Sequence, residues 1–418
     1  MTPVPVEAER SLRSVAVNRN PFVVPGFRVA AVSSGMRYKD RLDLALIAVD
    51  PELNARAAGV FTTNRFCAAP VLVCRENLKS ARTKAVIINA GIANACTGEE
   101  GYKRAREMAR IAADALDFSQ REILVCSTGV IGLQVELEPI LRVMPELVEN
   151  LKPDGWGDAA RAILTTDTVP KLASTKIELS GKTVTIGGMV KGSGMIAPNM
   201  ATLIGLVCTD AAIQPAILDH WLRWGTARSF NCITVDGDTS TNDSLVAMAS
   251  GRAGNPIITD IGSTESRAFG EALQAVLLDL AKLVVMDGEG ATKYIEIHVT
   301  GAPDRDAARA IALTIANSPL VKTAFFGEDA NWGRIIAAAG RAGAPLMPDK
   351  AALFFDDLCV FRNGTPVAGT EVEARASQIF KQKEIRVQLD LGAGSTHFTA
   401  YTCDFSYDYV KINASYRS

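Results

Sequence analysis

The sequence predicts an α+β fold, an α/β layered sandwich of packed helices and sheets, and two observations carry that expectation. Short β-like runs alternate with amphipathic helical stretches, and several runs alternate polar with apolar residues as half-covered strands do. Composition agrees: 48% apolar and only 22% charged residues over 418 positions supply a large core rather than a disordered chain. That length suits two or three domains or one large layered unit.

In chain order, Val86-Ile87-Ile88 and Ile123-Leu124-Val125 read as buried strands. Between them Tyr102, Ala105, Met108, Ile111, Ala112 and Leu116 recur at helical spacing. Leu203, Ile204, Leu206, Val207 and Cys208 form a further strand-like run. A second helix carries Phe269, Leu273, Val276, Leu277, Leu280, Leu283 and Val284 on one face and stops at Asp287-Gly288. Tyr294–Thr300 and Ile385–Leu391 alternate as strands, and the Gly392-Ala393-Gly394 loop predicts a hairpin between Ile385–Leu391 and His397–Cys403. No fixed-period repeat or low-complexity linker interrupts this pattern.

Several function classes are disfavoured. A net charge of −2 offers no general attraction for nucleic acid or an anionic membrane. The three histidines (His220, His298, His397) lack metal-pair spacing, so no metal is expected. The eight cysteines show no CxxC pair, and Cys126 and Cys208 sit in apolar runs as reduced core thiols would. The N-terminus lacks a signal-like apolar stretch, and no run approaches the roughly 20 apolar residues of a membrane span. A soluble, cytoplasmic protein is expected.

The run Gly187–Leu203 is the most informative stretch. It sets Thr202 after a loop rich in glycine and containing Pro198, and directly before an apolar strand. Cutting the Ala201–Thr202 bond would give Thr202 a free α-amine beside its own hydroxyl, a nucleophile with a built-in base. Such an amine titrates at about 7.7–8.0, near operating pH. Cleavage would begin with the Thr202 hydroxyl attacking the Ala201 carbonyl. Gly192 and Gly194 permit the backbone geometry this needs, Pro198 stiffens the approach, and Lys191 brings a positive charge. On residue types alone, the same run also reads as a plain Gly/Pro connection between two strands.

The segment Lys191–Thr202 resembles the processing-site signature of the glutamate N-acetyltransferase/ornithine acetyltransferase family, self-cleaving enzymes of arginine biosynthesis. Five further segments fit the family in order: Ser127–Gly132, Thr165–Thr168, Asp287–Lys293, Gly327–Arg334 and Val410–Tyr416. One departure is Asn89–Asn94, where Ala90 and Ile92 replace polar residues of the family motif.

The resemblance implies Thr202 as nucleophile, with Thr128 and Gly129 as the oxyanion hole. It implies substrate contacts from Thr165, Lys191, Glu289, Asn413 and Ser418, and no cofactor. The same residues have plainer readings. Thr128-Gly129 is an ordinary β-to-helix turn, Thr165-Thr166-Asp167 a helix cap, and Lys191 and Glu289 solvated charges. Tyr407, Tyr409, Val410 and Ile412 predict a docked C-terminal segment, and Glu328, Asp329, Asn331 and Arg334 a buried network around Trp332.

The implied fold is a self-processing N-terminal-nucleophile type resembling ornithine acetyltransferases and aminopeptidases. Residues 1–201 and 202–418 would be two chains of one folded unit, in two copies each. The implied reaction moves an acetyl group from N2-acetyl-L-ornithine to L-glutamate through acetyl-Thr202, with acetyl-CoA a second donor in some members. Two rivals stand beside it, a nucleophile amidase or aminopeptidase of related fold and an uncleaved amino-acid-binding protein.

Overall fold

The computed structural model describes residues 15–80, 82–197 and 203–415. Among them the chain forms two compact units, one from 12–231 and 238–284, the other chiefly from 232–237 and 285–418.

The larger unit contains, in chain order, β1 (Phe27–Val32), β2 (Leu44–Val49), β3 (Arg56–Phe61), α1 (Ala69–Asn77), β4 (Ala85–Ile92), α2 (Gly98–Leu116), β5 (Ile123–Val130), α3 (Leu137–Glu149) and α4 (Trp156–Ala162). It continues with β6 (Lys171–Leu179), β7 (Lys182–Lys191), β8 (Ile204–Thr209), α5 (Pro215–Thr226), β9 (Ser244–Ala249) and α6 (Thr264–Met286). Two sheets result, a four-stranded one ordered β1-β2-β4-β5 and a five-stranded one ordered β3-β9-β8-β7-β6.

Strand period explains why β2 reads as an unbroken apolar run. Ala45, Ile47 and Val49 face a core shared with Met189, Leu206, Cys208 and Met248 of the five-stranded sheet. Leu44, Leu46 and Ala48 face the other way, onto Met108 and Ile111 of α2 and Ile140 and Leu147 of α3. Beyond the five-stranded sheet, Leu280 of α6 lies against Gly188, and α5 joins α6 through Trp221 Nε1 donating to Ser266 Oγ at 2.8 Å. The layers are helix, sheet, sheet, helix. This is the expected α+β layered sandwich.

The ladders around β8 frame the bond at which cleavage is expected. β8 pairs antiparallel with β7 from Ile186↔Thr209 to Lys191↔Ile204, and parallel with β9 from Ile204↔Ser244. β3 closes the far side on β9. The Ala201–Thr202 bond lies outside the described residues, between two neighbouring strands of one sheet.

The smaller unit contains β10 (Tyr294–Ala302), α7 (Arg305–Ala316), α8 (Pro319–Phe326), α9 (Trp332–Gly340), β11 (Ala352–Phe355), β12 (Leu358–Arg362), β13 (Thr365–Pro366), α10 (Thr370–Phe380), β14 (Glu384–Asp390), β15 (Thr396–Cys403) and α11 (Tyr407–Ala414). Its sheet is ordered β13-β12-β11-β14-β10-β15. Ile295, Ile297 and Val299 alternate into the core, and Asp304 caps α7 by accepting from Ala307 N at 2.8 Å.

The expected hairpin of Ile385–Leu391 with His397–Cys403 does not form, because β10 lies between them, parallel to β14 and antiparallel to β15. The glycine loop instead arches over the end of β10. Leu391 N bonds Thr300 O, Ala393 N bonds Gly301 O, and a Cβ at Gly394 would lie 2.3 Å from the Ala302 carbonyl oxygen. Glycine is needed there for close passage rather than for a two-residue turn.

The C-terminal expectation of a docked segment holds in part. α11 has no buried residue, and Tyr407 is 84% exposed. Val410 is 67% exposed, whereas Tyr407 meets Phe326 edge-on with ring centroids 5.4 Å apart and Tyr409 stacks on Phe405 at 4.6 Å, so aromatic contacts do help dock the helix. Polar bonds hold it as well: Ser406 Oγ donates to Gly290 O at 2.6 Å, and Asn413 reaches Glu289. Nor is the Gly327–Arg334 segment a buried network. Glu328 and Asp329 are exposed, and Asn331 caps α9 by accepting from Arg334 N at 3.1 Å, while Trp332 stacks on Phe361.

Candidate active site

The larger unit holds four of the predicted residues among those described: Thr128 and Gly129 near the end of β5, Thr165 ahead of β6, and Lys191 at the end of β7. β4 and β5 run parallel in register, so Ala90 lies beside Thr128 and Gly91 beside Gly129. Gly129 has φ +131°, and a Cβ there would come within 2.1 Å of the Gly91 carbonyl carbon. Only glycine fits. Thr128 and Gly129 belong to the end of β5 itself rather than to a β-to-helix turn. Ser127 Oγ donates to Asn89 Oδ1 at 2.5 Å, and Asn89 Nδ2 donates to Ile92 O at 2.9 Å. The substituted Ala90 and Ile92 are both buried, and Ile92 packs in the core beneath α2.

A second cluster surrounds Asp167. Its Oδ2 accepts from Thr165 N at 3.1 Å, and its Oδ1 accepts from Gly192 N and Lys171 Nζ, both at 2.7 Å. Lys191 Nζ lies 3.8 Å from Oδ2. No helix follows Thr165-Thr166, so the capping reading falls, and β6 begins at Lys171. Burial works to raise the Asp167 pKa, but the Lys191 and Lys171 ammoniums and the Gly192 amide outweigh it, holding the carboxyl well below the usual carboxylate range. Lys191 is not a solvated charge, since its side chain is only 4% exposed.

The first cluster is tied to the start of β8 by a segment that sequence reasoning missed, Ser240–Ser244. Asn242 Nδ2 donates to Ser127 O at 2.8 Å and to Ala93 O at 2.6 Å, with Thr241 Oγ1 donating to Asn242 Oδ1. The next residue, Asp243, accepts from Leu203 N at 3.1 Å through Oδ1. Burial pushes the Asp243 pKa well up, against the Leu203 amide, Lys191 and the nearby Ser240 and Thr62 hydroxyls. The available signal was a polar run, Asp238–Ser244, set directly before the apolar Leu245-Val246. Ala201 and Thr202 lie outside the described residues, flanked by buried Ala197 and Leu203.

In the smaller unit, Glu289 and Asn413, each expected as a substrate contact, meet one another. Asn413 Nδ2 donates to Glu289 Oε2 at 2.8 Å, and Glu289 is buried rather than a solvated turn residue. The loop bearing it is anchored by Asp404, which accepts from Thr292 N and Lys293 N at 2.8 Å each and from Thr292 Oγ1 at 2.5 Å. Ser418 lies outside the described residues. Among those described, no three His, Cys, Asp or Glu side chains are grouped to hold a metal, and no helix is long and apolar enough to cross a membrane. The eight cysteines are free, with Cys126 and Cys208 buried.

Residues 28–418 match the ArgJ family. A protein of Geobacter sulfurreducens described as "Arginine biosynthesis bifunctional protein ArgJ" is 50% identical over 396 residues, covering 94% of this chain and 100% of that protein. Its counterpart in Chlorobaculum tepidum is 48% identical over 395 residues, 94% of this chain and 96% of that protein. A solved chain of Mycobacterium tuberculosis ornithine acetyltransferase, complexed with ornithine, is 37% identical, with a TM-score of 0.40 over 46% of this chain and 100% of that one. With its family profile covering nearly the whole sequence and near-full-length relatives at half identity, this chain belongs to the ArgJ family.

Proposed function

We propose that this chain cuts itself between Ala201 and Thr202 and then acts as a cytoplasmic acetyltransferase of arginine biosynthesis. It carries acetyl from N2-acetyl-L-ornithine to L-glutamate. The relatives described as bifunctional proteins of arginine biosynthesis support the pathway. One structural observation supports the site. Consecutive residues, Asn242 and Asp243, hold the carbonyl next to Thr128 and the amide next to Thr202. Segments about 75 residues apart in sequence are thereby tied to one short strand lead-in, as a nucleophile and its oxyanion hole require.

In this mechanism the α-amine of Thr202 takes the proton of its own hydroxyl, which attacks the acetyl carbonyl of N-acetylornithine. Charge on the tetrahedral oxygen meets Thr128 and Gly129, where glycine keeps the backbone clear. Ornithine leaves with the proton, and glutamate then takes the acetyl group from the acyl-threonine. Thr165 and Lys191 serve the substrate carboxylate, while Glu289, supported by Asn413, serves the ornithine ammonium, and Ser418 adds a contact. No cofactor takes part. The second donor proposed is acetyl-CoA, and the assembly proposed is two copies of each fragment.

The deciding experiment combines intact mass with turnover. Two fragments, the second beginning at Thr202, together with ornithine release that depends on added glutamate, are the expected result. Release of acetate without glutamate would make the chain a hydrolase, and a single uncut, inactive chain would leave a binding protein. Thr128→Ala should slow cleavage and transfer by about 10²–10³-fold, roughly 2.7–4 kcal/mol of barrier, with an unchanged melting profile. Wild-type rates in that variant would remove Thr128 from the oxyanion hole.

A further inference from the structure

Residues 33–43 join β1 to β2, whose last and first residues, Val32 and Leu44, pair across the ladder. The base of this loop is fastened to its surroundings. Ser34 N donates to Asp43 Oδ1 at 2.6 Å, and Ala90 N, next to Gly91, donates to Asp43 O at 2.8 Å. Arg142 of α3 adds a bond to Ser34 O at 2.9 Å. Further out, Arg37, Lys39 and Asp40 are exposed, whereas Tyr38 and Arg41 are partly buried. Asp40 has φ +56°, in the left-handed region, and the chain folds back there. Arg41 thereby sets its guanidinium carbon 4.4 Å from the centre of the Tyr38 ring.

These two side chains reach different parts of the candidate site, all within the larger unit. A Cβ on Gly91 would lie 3.0 Å from Tyr38 Cε2 and 3.0 Å from Arg37 Cβ, so the loop rests on Gly91. Gly91 in turn backs Gly129, its register partner on β5. On the other side, Arg41 Nη2 donates to Leu164 O, the carbonyl that leads into Thr165. Thr165 N is held by Asp167, the carboxyl that Lys171 and Lys191 share. One stacked pair therefore links the strand end carrying Thr128-Gly129 to the loop carrying Thr165. A guanidinium suits the task, because its plane lies on a ring while an edge N–H donates.

In the proposed reaction, these two places receive two groups of one substrate. N-acetylornithine bears its acetylated nitrogen and its carboxylate on one carbon, and glutamate bears its amine and α-carboxylate in the same way. The side chains differ, but the span from acyl carbon to carboxylate does not. We propose that Tyr38 and Arg41 are positioning residues that fix this span, holding the Thr165 loop at a set distance from Thr128-Gly129. The inference rests on the proposed acetyl transfer and goes beyond it by naming what selects α-amino-acid substrates. The effect is one of orientation, where a shift of about 1 Å costs about 10²-fold in rate.

The test compares two acetyl donors on the full chain carrying Arg41→Ala, Arg41→Lys or Tyr38→Ala. N-acetylornithine with glutamate reads acyl chemistry and carboxylate placement together. The activated ester 4-nitrophenyl acetate has no carboxylate and reads acyl chemistry by itself. In Arg41→Ala, kcat/KM for N-acetylornithine should fall by about 10²-fold, while that for the ester holds its wild-type value. Tyr38→Ala removes the other half of the stack and should split the two donors in the same way. The double variant should be no worse than either single one, since both delete one contact. Arg41→Lys keeps a donor for Leu164 O without the planar stack and should restore part of the loss. Melting curves and intact mass check that each variant is folded and cut.

Equal losses on both donors in folded variants would overturn the proposal, because the loop would then be a brace and nothing more. Wild-type kcat/KM for N-acetylornithine in Arg41→Ala would overturn it too. So would a folded variant that stays uncut, since the loop would then act in processing. Failure of the proposed transfer itself looks different: the wild type would release no ornithine from N-acetylornithine.

Discussion

Thr202→Ala is expected to leave one uncut chain and to lower glutamate-dependent transfer by about 10⁶-fold, the scale seen when a hydroxyl nucleophile is deleted. Both losses have one cause. The hydroxyl that opens the Ala201–Thr202 bond is the hydroxyl that accepts acetyl, and without cleavage no α-amine exists to take its proton. Thr202→Ser keeps the hydroxyl and should keep part of each activity. Intact mass reports the cut, and release of ornithine reports the transfer. An uncut Ala variant that still transferred acetyl would remove Thr202 from the chemistry altogether.

Asp167→Asn should have the largest effect on stability. The carboxylate compensates Lys171 and Lys191 and ties Thr165 N to Gly192 N. Removing its charge takes away the carboxylate that two buried ammoniums share, a change that costs about 3–5 kcal/mol in comparable buried pairs. Denaturant midpoints measured against pH provide the check. The folded-state pKa of Asp167 is depressed, so its contribution is complete above the unfolded value of about 3.9 and drains away as pH falls toward the folded one. The Asn variant should therefore be weaker at neutral pH and lose less on acidification. Equal midpoints at pH 7 would mean that the ion cluster adds nothing to the fold.

Periodicity made the layered architecture legible where strands are covered on both faces, as at Val86–Ile88 and Ile204–Cys208. A buried strand has no other way to read than as a continuous apolar run. It failed at β14 and β15, because the glycine loop between them looks the same whether it turns a hairpin or crosses the end of a third strand. At α11 the aromatic residues do dock, Tyr407 on Phe326 and Tyr409 on Phe405, while Val410 of the same run faces outward.

Among the candidate residues, those in dense local motifs were visible: Thr128, Gly129, Thr165, Lys191 and Glu289. Asn242 and Asp243 were not, since their importance lies in the distant amide and carbonyl they hold. A polar run before a strand does not say which main-chain groups it will meet.

The order β3-β9-β8-β7-β6 has a consequence for the lifetime of a cut molecule. Cleavage at the proposed bond would leave β8 and β9 on the second polypeptide, enclosed on one side by β3 and on the other by β7, both on the first. The two polypeptides would be interleaved rather than apposed. Neither could leave without unzipping two ladders and opening the apolar layer beneath them. Once fully unfolded, such a molecule must find its other half by collision, so recovery would depend on dilution, whereas the uncut precursor refolds as a single chain. Processing would thus turn a reversible fold into a kinetically locked one.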